Sequence, residues 1–500
     1  MSTPMPMHTT AHPVPETASI YDHGPAVGTP HPLLPGVATG FGTAVAMWTL
    51  WWITHLPAWG QAAPPWHISL PLLGLTLLAG GLLGALAAPR PILTGTIAGL
   101  TTALLSLIVL GAVLSDTQGD TASAEAARQL RRDAPTIFAG FMIASGLTGA
   151  VGGAAARFLR TAGVIPAGPL PGPHDWLARL AVVAAVSFVP LIAIGGAVTS
   201  TASGMAVADP VVSFVMPLSL MADPRVFIEH THRLVGTLVG LTAIALFLAT
   251  LLIDRRKPAL LMTGGLLALV TAQGMLGIFR VGENSAPLAM LHGMFAQLVF
   301  AVGIATAVTL QPAFRGTNTP PSTDGARTDT DAHAMTTNER AQRIGRVAAA
   351  LGITFYALQL ATGAASRHLG SVHATYTHAV FAVVVAATVG VAGAALTSLD
   401  RGSAPGRRLV RTGKGLVAAV VIQFMLGVVT LLAVGGGQRR EIPTEDQLAT
   451  AEAIEGGRAL IATAHQTTGA LLLAMLVLAA MWSSRPDPLN ARPADAPATT

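Results

Sequence analysis

The chain has 500 residues, of which 52% are hydrophobic and only 11% charged, with a formal net charge of +5 and no cysteine. That balance is too apolar for an ordinary soluble protein of this length and predicts a polytopic membrane protein. The missing cysteine excludes disulfides, thiolate nucleophiles, iron–sulfur ligation and Cys-bound zinc, which leaves the 15 histidines as the main candidate metal ligands.

Residues 1–36 are rich in Pro, Thr and His and lack the apolar core of a secretory signal, so they read as a disordered cytoplasmic tail. Apolar runs then predict twelve spanning helices: 37–58, 68–88, 92–115, 135–157, 178–198, 226–252, 259–280, 287–310, 346–366, 372–398, 413–434 and 460–482. Each reaches about 20 residues, enough to cross a ~30 Å hydrocarbon core. A Pro/Gly-rich linker at 161–176 and a polar linker at 312–345, expected to be disordered, divide the chain. The blocks are therefore 37–160, 177–311 and 346–483, with a disordered tail at 484–500.

Arginine and lysine fix the expected orientation. Arg157 and Arg160, Arg255-Arg256-Lys257, Arg340, Arg343 and Arg346, and the set Arg401, Arg407, Arg408, Arg411 and Lys414 fall on one side if both termini are cytoplasmic. Arg128, Arg131, Arg132, Arg439 and Arg440 fall on the other, in loops that also carry acids. This loop pattern accounts for the positive charge in a cell-membrane protein without invoking a nucleic-acid partner.

The second and third blocks resemble each other. Gly195-Gly196-Ala197-Val198-Thr199-Ser200 finds Thr362-Gly363-Ala364-Ala365-Ser366-Arg367, and Glu229-His230-Thr231-His232 finds Thr375-Tyr376-Thr377-His378. Gln273-Gly274-Met275-Leu276-Gly277 matches Gln423-Phe424-Met425-Leu426-Gly427, and Leu291-His292-Gly293 matches Ala464-His465-Gln466. Four matches in one order suggest duplication. An even number of helices per unit makes the repeat parallel, with its axis along the membrane normal. The expected fold class is thus an all-α polytopic membrane protein of about twelve transmembrane helices, the last eight forming two parallel-repeat four-helix bundles.

His232, His292, His378 and His465 each lie about five to six residues inside the outer end of a helix, roughly 9 Å deep at 1.5 Å per residue. Gln273 and Gln423 approach the same level. Two neutral imidazoles from facing helices suit bis-histidine ligation of haem iron; zinc would ask for three or four protein ligands. The ordinary alternative is a buried histidine bonded to a neighbouring helix. Glu229 lies one turn from His232 on the same face and breaks the repeat, since its counterpart is Thr375. That asymmetry points to chemistry in one half; a plain ion pair with Arg233 is the alternative. Arg233, Arg280 and Arg367, near outer helix ends, are candidates for haem propionates, against ordinary snorkelling. His230, His368 and His373 read as loop or interface residues, and Gly195-Gly196, Gly274 and Gly277 as sites of close helix approach.

These motifs, with Gly195 to Gly204, Glu229-x-x-His232-Arg233, Asn284-Ser285 and Ala464-His465-Gln466-Thr-Thr-Gly469, resemble the haem A synthase family over residues 177–483. The resemblance implies an eight-helix enzyme of two four-helix halves that oxidises the C8 methyl group of haem O to the formyl group of haem A, for terminal oxidase assembly. It implies that His232 and His292 bracket the substrate haem O with Glu229 as the catalytic residue, and that His378 and His465 ligate a haem b acting as electron relay. An enzyme supplying haem O, an electron donor and membrane lipid are the implied partners, with a homo-oligomer left open. Many such proteins carry a cysteine pair in an outer loop, and here there is none. The four N-terminal helices, with His55 and His67, lie outside the resemblance and receive no function. A non-catalytic dihaem b-type cytochrome would need all four histidines but not Glu229. A twelve-helix transporter is the third reading, although transport sites usually lie at mid-bilayer.

Overall fold

A computed structural model describes residues 32–56, 66–114, 130–166, 168–207, 221–315, 329–435 and 442–485. Most of both expected tails, and Arg128, Arg439 and Arg440, lie outside these residues. The helices are α1 (Leu34–Thr54), α2 (Trp66–Leu86), α3 (Pro91–Val109), α4 (Ala134–Thr161), α5 (Pro173–Ser200), α6 (Pro224–Ile253), α7 (Lys257–Gly282), α8 (Ala286–Thr309), the short α9 (Pro312–Arg315), α10 (Asp329–Leu369), α11 (Val372–Thr397), α12 (Ala404–Val434) and α13 (Gly456–Ser483). Ten of them, α3 to α8 and α10 to α13, are long and apolar enough to cross a membrane, so the chain is an all-α polytopic membrane protein. The other two expected spans fall on helices α1 and α2, which are not among those ten. Within α2 only Leu70–Leu86 is described as a continuous apolar helix.

Local chemistry sets the helix starts. Proline occupies the first turn of α1, α3 to α8 and α12, where its missing N–H costs nothing. Side-chain caps fix three helices that carry site residues. Asp223 accepts from the Arg225 and Val226 amides at the start of α6, Ser285 from Leu288 before α8, and Ser371 from Ala374 before α11.

One sequence expectation fails. Residues 329–345, placed in a disordered linker, form the first turns of α10. The stretch is polar but rich in Ala, Glu, Arg and Gln, which favour helix. Gln342 also ties it to the end of α13 by donating to the carbonyls of Ser483 and Arg485, at 3.0 and 3.2 Å. At the same end of the molecule Asp254 binds Arg256 at 2.8 Å and Arg315 at 2.9 Å. Burial pushes its carboxyl up, but the Arg256 hydrogen bond and the charges of Arg315 and Arg256 outweigh that and hold it below the usual carboxylate value.

The helices pack as three four-membered groups. In the middle group α5, α6, α7 and α8 form a closed ring of neighbours, and in the last α10, α11, α12 and α13 do the same. The rings meet through α5 on α13, α8 on α10 and α8 on α13. First helix on fourth, and fourth on first, is the arrangement a two-fold axis between two sister bundles requires.

The N-terminal group has its own device. A Cβ at Gly95 would collide with the Gly149 carbonyl, one at Gly149 with the Gly95 carbonyl, and one at Gly99 with the Ser145 carbonyl. Small residues four apart on α3 and α4 thus let two backbones touch, the usual means of joining helices in lipid. Because the obstacle is backbone, Gly149→Val is expected to part α3 from α4 and cost the upper end of ~1–3 kcal/mol. A lower unfolding temperature in detergent, against an unchanged one for Gly74→Ala, whose Cβ would meet nothing within 4 Å, checks it.

Candidate functional site

The structure brings the four sequence-predicted histidines together in two pairs. His232 of α6 faces His292 of α8 with ring centroids 6.4 Å apart and planes at 79°. His378 of α11 faces His465 of α13 at 6.2 Å and 85°. Counting from each helix start, they are the ninth residue of α6, seventh of α8, seventh of α11 and tenth of α13. At 1.5 Å per residue this is roughly 9–14 Å along the helix, so both pairs lie towards one end of the bundle.

Glycine makes room for every ring. A Cβ at Gly195 would sit 3.0 Å from His232 Cε1, and one at Gly277 3.1 Å from His292 Cε1. In the sister bundle Gly363 and Gly427 stand in the same relation to His378 and His465, at 2.7 and 3.1 Å. Each imidazole therefore lies against the backbone of the preceding helix in its bundle. Gly196 also holds a close approach, facing Gln466 of the other bundle, whereas Gly274 does not: no atom lies within 4 Å of a Cβ there. Gly274 is one residue past Gln273, and its side of α7 is exposed. Filling the tightest floor, with Gly363→Val, is expected to swing His378 out of line with His465. On the haem reading proposed below this depletes the haem of that bundle alone, which haem content per chain of the purified variant checks, with Gly390→Val, in open space, as control.

The glutamines fall where the repeat placed them. Gln273 Nε2 lies 3.2 Å from His292 Nδ1 and donates to the His292 carbonyl at 3.0 Å. Gln423 Nε2 lies 3.2 Å from His465 Nδ1. Sequence reasoning missed a third, Gln359, which donates to the His378 carbonyl at 2.8 Å while its own carbonyl meets His378 Nδ1 at 2.9 Å. It lies one turn before Gly363 on an apolar helix, and that spacing was the available signal. Its counterpart in the first bundle is Leu191, which has no side-chain amide to offer the His232 carbonyl. The side-chain oxygens of Gln273, Gln359 and Gln423 are buried and unpaired, a costly state for a polar group.

The charges are confined to the first pair. Glu229 is 4% exposed. Its Oε1 accepts from Arg233 Nε at 2.8 Å and pairs with Arg233 Nη2 at 2.6 Å, while Oε2 is buried without a partner. Arg233 Nη2 also donates to the Val207 carbonyl at 2.7 Å, which ties the segment after α5 to the site. Arg280 packs against Gly204, where a Cβ would collide with its guanidinium. In the sister bundle the equivalent positions are Thr375, Ala379 and Thr430. Thr375 is spent on a 2.6 Å hydrogen bond with Ser366. Arg367 is not directed at its own histidines, since it donates across the bundle boundary to the Thr199 carbonyl at 2.9 Å.

Two further residues depart from expectation. His230, read as a loop or interface residue, is inside α6 and 1% exposed; the helix begins at Pro224, two residues earlier than its apolar run. Arg225 is a missed clamp. Buried at the start of α6, it donates to the carbonyl of Thr201 and to that of Glu452 in the other bundle.

The donor set fits an iron porphyrin. Among the described residues no three His, Asp or Glu side chains gather as a metal site, so each pair offers two ligands and no more. Two imidazoles bonded to opposite faces of one metal at about 2 Å have ring centres roughly 6 Å apart, the separation found in both bundles. Comparison with protein-family models, curated proteins and solved structures found no match to this chain. The resemblance to haem A synthases therefore rests on the residues named above.

Proposed function

We propose that this chain is a haem-oxidising membrane enzyme of the haem A synthase type, converting the C8 methyl group of haem O to a formyl group. One observation carries the reading. Two histidine pairs match in spacing, ring angle, glycine floor and glutamine partner, yet among the described residues only the first has a buried carboxylate and two guanidinium groups beside it. A frame duplicated for binding and charged on one side alone is suited to substrate in the first bundle and a resident haem b in the second.

Bound there, the haems would supply the redox chemistry. The chain's residues supply position and charge. His232 and His292 would hold the substrate macrocycle, and His378 and His465 would hold haem b. Arg233 and Arg280 offer planar forks for acidic groups at the macrocycle edge. Glu229 Oε2 would pass protons beside the reacting methyl group, or serve as the counter-charge to a cation developing there. The oxidant named by this reading is dioxygen, two molecules per turnover with four electrons and four protons, which turns the methyl group into the formyl group and leaves three waters. An electron donor and an enzyme supplying haem O complete the scheme, and the reading takes the membrane to be the cell membrane with both termini cytoplasmic.

The Glu229–Arg233 pair favours a second reading, a dihaem b-type cytochrome, because an ion pair satisfies Glu229 oxygen Oε1 without any catalysis. Expression of the full chain with a source of haem O, followed by pigment extraction and chromatography, separates the two. The enzyme yields formyl haem. Two bound haems and no formyl product in an aerobic, electron-supplied culture would establish the cytochrome instead.

A further inference from the structure

The N-terminal helices are not an independent module. The core that fills the first bundle, with Phe188, Leu234, Leu238, Leu266 and Phe300, runs without a break into Phe41, Val45 and Trp48 of α1 and Leu105 and Val109 of α3. The second bundle has a separate core with no residue from α1 to α4. At the end nearest the histidines the contact is aromatic. The Trp51 ring centre lies 5.3 Å from Trp48, 4.9 Å from His55 and 5.4 Å from Phe227, and His55 stacks on Phe227 at 6.3 Å. Trp52 packs with Ile194, Val198 and Ile228. Phe227 and Ile228 are the two residues immediately before Glu229.

The sister bundle supplies an internal control. Phe227, His230, Leu234 and Leu238 form one face of α6, and all are buried. The matching face of α11 is His373, Tyr376, Val380 and Val384, all exposed, Tyr376 at 69% and Val380 at 72%. The repeat thus has the same surface twice, covered by the N-terminal helices only where a glutamate follows. Glu229, His232 and Arg233 lie on the opposite side of the same turns of α6, because residues three and four apart share a face.

We infer that the aromatic end of α1, through Trp51 on Phe227, is a positioning element for Glu229: it holds the first two turns of α6 from behind and so sets the carboxylate against the first histidine pair. This rests on the haem reading for its consequence but not for its geometry, and the test has an arm for each.

The geometric arm uses the absence of native cysteine. Leu234→Cys in the full-length protein is expected to resist a membrane-permeant maleimide. It should become at least tenfold more reactive when Trp51→Ala is added, and be protected again with Trp51→Phe. Val380→Cys reports the unaffected sister face. Equal reactivity of Leu234→Cys with and without Trp51 overturns the inference. The chemical arm uses protein loaded with haem b alone and carrying His378→Ala and His465→Ala, so that only the first pair is read. Its midpoint potential is expected to vary with pH in a way that Glu229→Gln removes. Trp51→Ala should displace that profile along the pH axis, and Trp51→Phe restore it. A profile indifferent to Trp51→Ala reduces the α1 contact to mere covering and also overturns the positioning role. Protein that takes up no haem at the first pair, while Leu234→Cys behaves as expected, overturns the haem reading and leaves the α1–α6 contact standing.

Discussion

Replacing His378 or His465 with alanine is expected to halve the haem bound per chain and to remove the low-spin signal of the second bundle, leaving the first bundle's pigment in place. Both imidazoles of the pair are needed because no third ligand-bearing side chain stands near them among the described residues. Losing one axial ligand of a bis-histidine haem changes spin state as well as affinity. The same change at His232 or His292 is expected to empty the first bundle and spare the second. The two pairs share no histidine. A purely structural histidine would behave otherwise. His465→Ala would then cost only the hydrogen bond to Gln423, about 1–3 kcal/mol for a buried group left unpaired, and thermal unfolding would move with no change in colour. His465→Met sharpens the distinction, since a thioether ligand raises the potential of a histidine-ligated haem where it would do nothing for a hydrogen bond. Pyridine haemochrome assay, absorption spectra and redox titration of purified protein read all of this. Unchanged haem content after loss of both His378 and His465 would remove the second site altogether.

The sequence made the fold class and the histidine pairs legible for one reason: both leave periodic traces. Spans declare themselves by apolar length, and a duplicated chain shows its shared chemistry as ordered matches, so His232 with His378 and His292 with His465 emerge from one sequence alone. Partners defined by depth and angle are less visible. Gln359 has no counterpart in the first bundle, where Leu191 stands, so the repeat could not flag it. Arg225 looks like a helix-end arginine until its two carbonyl partners, far apart in the chain, are seen. His230 was misread because a polar residue near the mouth of an apolar run is ordinarily at the interface; here α1 and α3 cover that face. The first turns of α10 were misread because polar composition signals exposure, and an Ala-, Glu- and Arg-rich helix can be exposed and ordered at once.

Glu229→Gln is expected to keep both haems and lose the conversion of haem O, by about 10²-fold or more, the usual scale for removing a proton acceptor or an oriented charge at a reacting centre. The amide preserves the size of the side chain and still offers an oxygen to Arg233, so the 2.8 Å contact to its Nε can survive and the fold with it. Glu229→Ala is a harsher change. It leaves Arg233 half-buried without its carboxylate, and breaking a buried pair from one side costs about 3–5 kcal/mol, softened here by the remaining bond to the Val207 carbonyl. Comparing the two variants divides structure from chemistry. If both lose haem A but only the alanine variant loses stability and pigment, the carboxylate acts on the substrate. If the glutamine variant makes haem A at full rate, Glu229 serves only to fix Arg233, and the dihaem cytochrome reading gains the ground. The converse graft, Thr375→Glu, should create no second active pair. At that position the side chain replaces a hydroxyl engaged with Ser366 and finds neither Arg233 nor Arg280, whose equivalents are Ala379 and Thr430. A carboxylate is useful on this scaffold only where guanidinium groups and the N-terminal helices have already built a place for it.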